Sequence, residues 1–510
     1  MEKAAQFIRK INESYAPAGG AIYLGAGVLD GQVLPEAAVN IPLRMMNRHG
    51  LVAGATGTGK TRTLQLMAEQ LSDAGVPVFL LDVKGDLSGL YQPGETTLKI
   101  EERAAALNRP FSPSGFPVEL YSLSGNCGAQ MRATVLEFGP VLLAKILDLN
   151  ETQTGVLAIV FKYADDKALP LVDLADLKKL VSYLSGGDAA AEIRSEYGVI
   201  SQSTAGTILR KIVTIEQQGL EHLFGEPSFE IEDLFLRTDG RGLISLLNIS
   251  DVQTQPVLFS TFLLSLVAEI FDGMPEAGDL DKPKLVFFID EAHLLFKDSS
   301  RAFLEQIETV IRLIRSKGIG IFLCTQSPTD IPESVLAQLG NRVQHALRTF
   351  TPNDAEALRK TVKTYPTSDF YEIGRTLTSL GTGQALITVL NEKGIPTEVV
   401  ATHLSPPRAL MGPVPADQFA GMIAAGEAYR KYHEPVNAES AYEILTGRLN
   451  RKLEGAERDA DQEKPQPVRR RNEKTAFEKV IGAPITRQIG REIVRGLFGM
   501  LTGKKPRSRR

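Results

Sequence analysis

Eight consecutive residues, Gly54-Ala55-Thr56-Gly57-Thr58-Gly59-Lys60-Thr61, fill the pattern G-x-x-x-x-G-K-[ST] completely. Each residue type there suits a polyphosphate. Glycine at positions 54, 57 and 59 lets the backbone curl until successive N–H groups face one side as an anion nest. A helix starting near Lys60 adds its positive N-terminal dipole. Lys60 can reach the β- and γ-phosphates, and the Thr61 hydroxyl suits a magnesium position. The candidate nucleotide-binding set is Gly54, Ala55, Thr56, Gly57, Thr58, Gly59, Lys60, Thr61 and Arg62, with ATP and Mg2+ as the implied ligands.

A magnesium site of this kind needs a carboxylate beside the loop. The apolar run Leu285-Val286-Phe287-Phe288-Ile289 ends in Asp290-Glu291. Asp290 is expected to hold the metal and Glu291 to act on the attacking water as general base. Gln326, at the end of the apolar run Gly320 to Gln326, is the candidate γ-phosphate sensor. His49, His293, His345 and His403 have no spacing that suits a metal, and His293 reads as a structural hydrogen-bonding residue. Two cysteines, Cys127 and Cys324, are too few for a disulfide framework or a cysteine-rich metal site.

The elements that must position these residues are short apolar runs ending in polar or glycine-rich turns. They cover residues 50–54, 76–82, 117–123, 242–248, 284–290, 320–326, 343–349 and 384–390. Nearly continuous apolar character over four to seven residues marks strands buried on both faces. Helical patterns at 61–74, 260–271 and 300–316 alternate with them. The expected fold class is α/β with a mostly parallel sheet. From 138 to 236 the strand rhythm stops and amphipathic helical segments follow one another, which predicts an inserted helical subdomain. The expected divisions are an N-terminal arm (1–45), a first core segment (46–137), the helical insertion (138–236), a second core segment (237–404), a helical C-terminal segment with a charged linker (405–463) and a basic tail (464–510). The arm reads as irregular, with Ala21 to Gly31 its only strand-like stretch.

Composition bounds the function class. Of 510 residues 43% are hydrophobic and 23% charged, ample for a buried core and contrary to a disordered chain. The most apolar stretch, Pro256 to Phe271, is too short to span a bilayer and contains Glu269. The N-terminus lacks the apolar core of a signal peptide, so a cytoplasmic location is expected. Net charge is −4 overall, but residues 464–510 carry +11, which leaves −15 on the rest. In that tail Ile485, Ile489, Ile493, Leu497 and Leu501 form an apolar stripe nearly opposite Arg487, Arg491 and Arg495. Such a basic amphipathic helix suits nucleic acid or docking on the core, with a membrane surface the least favoured alternative.

Taken in order, "NRHGLVAGATGTGKT", "FLLDVKGDLSGL", "VFFIDEAHLLF" and "LIRSKGIGIFLCTQSPTDIP" resemble the HerA–FtsK class of RecA-like motor ATPases, and within it the bacterial HerA-like branch of the YjgR type. The resemblance spans about residues 41–404. It implies a RecA-like P-loop core and a homo-oligomeric, hexameric ring with ATP between subunits. It also implies DNA as the polymer, bound through the ring interior or the basic tail, and a protein partner such as a nuclease. An arginine from the neighbouring subunit completes the site in this class. By motif position that is Arg315, with Arg312 and Arg348 as alternatives. Asp82 falls where the class has an acidic strand-end residue. About 45 N-terminal residues are too few for the β-barrel that HerA proteins usually carry. A nucleotide-switched assembly module with slow hydrolysis is the rival reading.

Overall fold

The computed structural model describes residues 2–186, 193, 195–253, 255–296 and 301–462. The chain sorts into two compact units, Met1–Met131 with Phe229–Glu434, and Arg132–Ser228 with the chain from Pro435 onward.

The first unit is built on one twelve-stranded sheet. Its strands are β1 (Ala21–Leu29), β2 (Gln32–Pro42), β3 (Gly50–Ala53), β4 (Val78–Asp82), β5 (Val118–Ser122), β6 (Ala129–Gln130), β9 (Ile244–Asn248), β10 (Leu285–Ile289), β11 (Ile319–Thr325), β12 (Asn341–Gln344), β13 (Gln384–Thr388) and β14 (Val400–Leu404), while β7 (Arg237–Thr238) and β8 (Arg241–Gly242) make a separate small hairpin. The spatial order is β2-β1-β14-β13-β12-β3-β11-β10-β4-β9-β5-β6. Every pairing from β12 to β6 is parallel, and the four pairings from β12 to β2 are antiparallel. The sheet is therefore mixed, with its parallel part carrying the phosphate loop. Seven of the eight apolar runs read from the sequence are strands of it, and the eighth, 343–349, enters β12 only at Val343 and Gln344 and continues as irregular chain past the strand end.

The centre of the sheet explains the apolar runs. Phe287 and Phe288 of β10 are fully buried on opposite faces, packing with Phe79 and Phe322 at ring separations of 5.0 and 5.3 Å. A strand covered on both faces has no solvent side, so its sequence does not alternate.

The N-terminal segment departs from the expected irregular arm. Helix α1 (Glu2–Tyr15) buries Phe7, Ile11 and Tyr15, spaced four residues apart. The Tyr15 hydroxyl donates to the Glu398 and Ile387 carbonyls at 2.7 and 3.0 Å. Strands β1 and β2 then form a hairpin that β14 joins to the sheet. Glycine made this stretch look irregular, but Gly25 is required by a close approach. A Cβ there would lie 2.1 Å from the His403 carbonyl oxygen. Register shifts at Tyr23/Gly25 and Ala26/Gly27 complete the disguise.

The second unit is helical. Its helices Val135–Ile146, Glu151–Asp166 and Leu174–Ser185 each open on a capping box, set by Thr134, Asn150 and Asp173, and Ser201 caps Gln202–Gln217. The helix Ala441–Gln462 belongs to the same unit, where Asp176 accepts from the Ser440 hydroxyl and the Tyr442 N–H. That helix continues into the stretch read as a charged linker. The amphipathic tail, 464–510, lies outside the described residues. Among the described residues no helix is long and apolar enough to cross a membrane.

Candidate active site

Parallel strands put their C-terminal ends on one edge of the sheet, and the candidate residues sit along that edge. The phosphate loop leaves β3 and runs into helix α2 (Lys60–Asp73). Gly54, Gly57 and Gly59 have φ of 150°, 77° and 113°, a region side chains with a Cβ rarely adopt. At Gly54 a Cβ would also meet the His345 Cβ at 2.5 Å. The loop is tied to its neighbours by Gly54 N–H to the Thr325 carbonyl (3.2 Å), Ala55 N–H to Ala346 (2.9 Å) and Gly383 N–H to Thr58 (3.0 Å). Thr56 and Gly57 are exposed, Ala55, Gly59, Thr61 and Arg62 half-buried, and Thr58 and Lys60 buried. The Lys60 ammonium donates into the loop itself, to the carbonyls of Gly54 at 2.7 Å and Ala55 at 3.3 Å.

Register brings Asp290 to the same level. Ile289 pairs with Leu323 of β11, and Leu323 pairs with Leu51 of β3. Asp290 is buried; its Oδ1 accepts the Glu291 N–H at 2.9 Å, and its Oδ2 has no hydrogen-bond partner among the described residues. Burial and the adjacent Glu291 charge hold its pKa above the usual carboxylate range. A buried, unpaired carboxylate oxygen is costly unless it meets a cation. With the Thr61 hydroxyl across β11, the donor set is all hard oxygen, which fits magnesium.

Glu291 takes a left-handed backbone, φ 47°, directly after β10. Its Oε1 accepts from the Lys84 ammonium at 2.7 Å, and its Oε2 lies 3.4 Å from His293 Nδ1. Burial pushes its pKa up, but Lys84 outweighs this and leaves it below the ordinary value. Gln326 is exposed just past β11, between the loop strand and the Asp290 strand.

Asp82 holds the turn that presents Lys84. Its carboxylate accepts the N–H groups of Lys84, Gly85 and Leu87 at 3.1, 2.8 and 2.9 Å, while burial pushes its pKa up to about 6.

The arginines separate. Arg348 follows β12 on the loop's edge, with its guanidinium donating to the Thr378 carbonyl at 2.9 Å. Arg315 precedes β11 and Arg312 lies on the helix Arg301–Ile314 before it, both exposed. β11 is seven residues long, so Arg315 stands about 20 Å from the phosphate-loop end of its own sheet.

Three residues near the loop escape a reading by motif. Lys84 is the first. His345 is buried, its Nε2 2.9 Å from the Thr63 hydroxyl of α2, and burial with the Lys60 charge lowers its pKa to about 4. Arg103 donates to the carbonyls of Gly383 (3.0 Å), Leu404 (2.9 Å) and Thr382 (3.2 Å), backing the turn that touches Thr58. A lysine two residues after a strand-end aspartate was the one signal the sequence offered.

The family model for the helicase HerA-like C-terminal domain matches residues 29–507. The chain is 24% identical over 368 residues to the DNA double-strand break repair helicase HerA of Sulfurisphaera tokodaii, a match covering 69% of this chain and 64% of that protein. It is 25% identical over 378 residues to the DNA import protein CedB of Sulfolobus acidocaldarius, covering 73% and 54%. The chain thus spans less than two thirds of these relatives' length. Among solved structures, VirB4 of Thermoanaerobacter pseudethanolicus aligns with a TM-score of 0.49 at 14% identity, over 76% of this chain and 96% of that one. The conjugative coupling protein TrwB aligns with a TM-score of 0.48 at 14% identity, over 79% and 94%.

Proposed function

The chain belongs to the helicase HerA-like C-terminal family, and from that premise we propose that it is a magnesium-dependent ATPase that works as a homo-oligomer on DNA. The observation that carries the proposal is the loop of three positive-φ glycines, leading into α2 on the same sheet edge as the unpaired Asp290 Oδ2. In this reading the loop N–H groups and the start of α2 bind the triphosphate. Lys60 exchanges its carbonyl partners for β- and γ-phosphate oxygens. Thr61 and Asp290 hold the magnesium, which neutralises charge on the β- and γ-phosphates. Glu291 orients the attacking water and takes its proton, and Gln326 bonds the γ-phosphate or that water. Arg315, at the opposite end of its own sheet, serves the site of a second copy. Arg348 is the weaker candidate because its guanidinium is engaged by backbone carbonyls.

DNA as the polymer is supported by the names of the relatives and by the +11 charge of residues 464–510. The experiment is ATP hydrolysis with and without double- and single-stranded DNA, on the full chain and on a truncation ending at Val468. Several-fold stimulation that falls steeply with salt supports the motor; no stimulation by either DNA refutes it. Glu291→Gln should still bind ATP while hydrolysis falls by about 10²–10⁴-fold. Hydrolysis at the wild-type rate would refute the assignment of the base.

The Lys84–Glu291 ion pair favours a second reading, a nucleotide-switched assembly module with slow hydrolysis. The two readings part on DNA stimulation.

A further inference from the structure

One oxygen of the proposed base is engaged on the side away from the phosphate loop. The strand order is β3-β11-β10-β4, so the loop lies two strands to one side of Glu291 and Lys84 one strand to the other. Glu291 Oε1 is bound at 2.7 Å by Lys84, on the turn after β4. Oε2 lies 3.4 Å from His293 Nδ1 and is buried with no hydrogen-bond partner among the described residues. The Glu291 side chain is 9% exposed and that of Lys84 47%. One end of the pair is therefore fixed in the protein and the other is open to exchange. The left-handed backbone at Glu291 is a conformation that persists only where its surroundings impose it, and such residues concentrate at switch points. Asp82 fixes the Lys84 turn by accepting the Lys84 and Gly85 N–H groups, so the lysine is presented to Glu291 by a built element.

We infer that Lys84 is a positioning residue that holds the Glu291 carboxylate on the β4 side of the site, so that ATP hydrolysis waits on the opening of this ion pair. The inference rests on Glu291 being the base of the proposed ATPase. Lys84 touches neither reacting atom. Its effect is on how often the carboxylate is free to meet the water, which changes turnover and leaves nucleotide affinity alone.

The test is steady-state ATP hydrolysis by the full chain without polymer, comparing wild type, Lys84→Met, Lys84→Gln and Lys84→Arg, with Lys60→Ala as the inactive control. Removing the ammonium should raise kcat roughly two- to five-fold, the release expected of a half-exposed ion pair, with KM unchanged. Lys84→Arg keeps a cation within reach of Glu291 and should restore the restraint. Raising ionic strength should speed wild type relative to Lys84→Met, because salt weakens the one pair that the variant lacks. A kcat that is unchanged or lower in both Lys84→Met and Lys84→Gln, with fluorescent-nucleotide affinity intact, overturns the inference while leaving the ATPase standing. A wild type no faster than Lys60→Ala overturns the ATPase itself and the inference with it.

Discussion

His345 gives a prediction whose size follows from its burial. The ring is fully buried against the phosphate loop, and its pKa is lowered to about 4 from 6.5 by desolvation and then by Lys60. The folded chain therefore binds fewer protons at this site than the unfolded chain between about pH 6.5 and pH 4, and stability is lost as pH falls through that window. Two and a half pH units at about 1.4 kcal/mol each amount to about 3 kcal/mol. Wild type alone will not reveal this. His49 acts in the same sense, its pKa also lowered to about 4, but burial raises Glu69 to about 7 and Asp82 to about 6, and both acids add stability as pH falls. These opposing contributions are common to wild type and a His345→Gln variant, so they cancel in the difference. At pH 7.5 the variant should be less stable by about 1 kcal/mol, from the disturbed contact with Thr63. By pH 4.5, still above the folded pKa, wild type has lost about 2.5 kcal/mol through His345 that the variant keeps, so the order inverts. Calorimetric melting of both proteins from pH 7.5 to 4.5 reads this directly. Parallel curves across the window would refute the claim that the folded state holds His345 neutral.

Other consequences can be read with routine assays. Lys60→Ala should reduce phosphate release from ATP to background while the chain melts as a folded protein. Gly54→Ala should weaken nucleotide binding by about ten-fold or more, because its Cβ meets the His345 Cβ at 2.5 Å in a loop held by Thr325 and Ala346; fluorescent-nucleotide titration measures it. Phe288→Ala removes a fully buried ring between β10 and β11 and should cost about 3–5 kcal/mol, lowering the melting temperature by roughly 10 °C.

What the sequence disclosed depends on how far apart the interacting residues are. Seven of the eight apolar runs were legible as strands because burial on both faces is written into each strand by itself. The phosphate loop was legible because its eight residues are contiguous and every one answers to the same ligand. β2 and β14 were not, and β1 showed only as a strand-like stretch in an arm read as irregular, because their fit lies in cross-strand approach: Gly25 is needed only because the His403 carbonyl lies opposite. The site's other partners are equally remote. Lys84 and Glu291 are 207 residues apart, Thr63 and His345 are 282 apart, and Arg103 and Leu404 are 301 apart. The first two pairs meet because the sheet sets β10 beside β4 and β3 beside β12, and Arg103 reaches the Gly383 and Leu404 carbonyls together because β14 lies beside β13; none of this follows from order along the chain. A motif can thus name the groups that meet the nucleotide. The groups that govern those groups are chosen by strand order, and here strand order gives the general-base candidate a lysine partner on the side away from the phosphate loop.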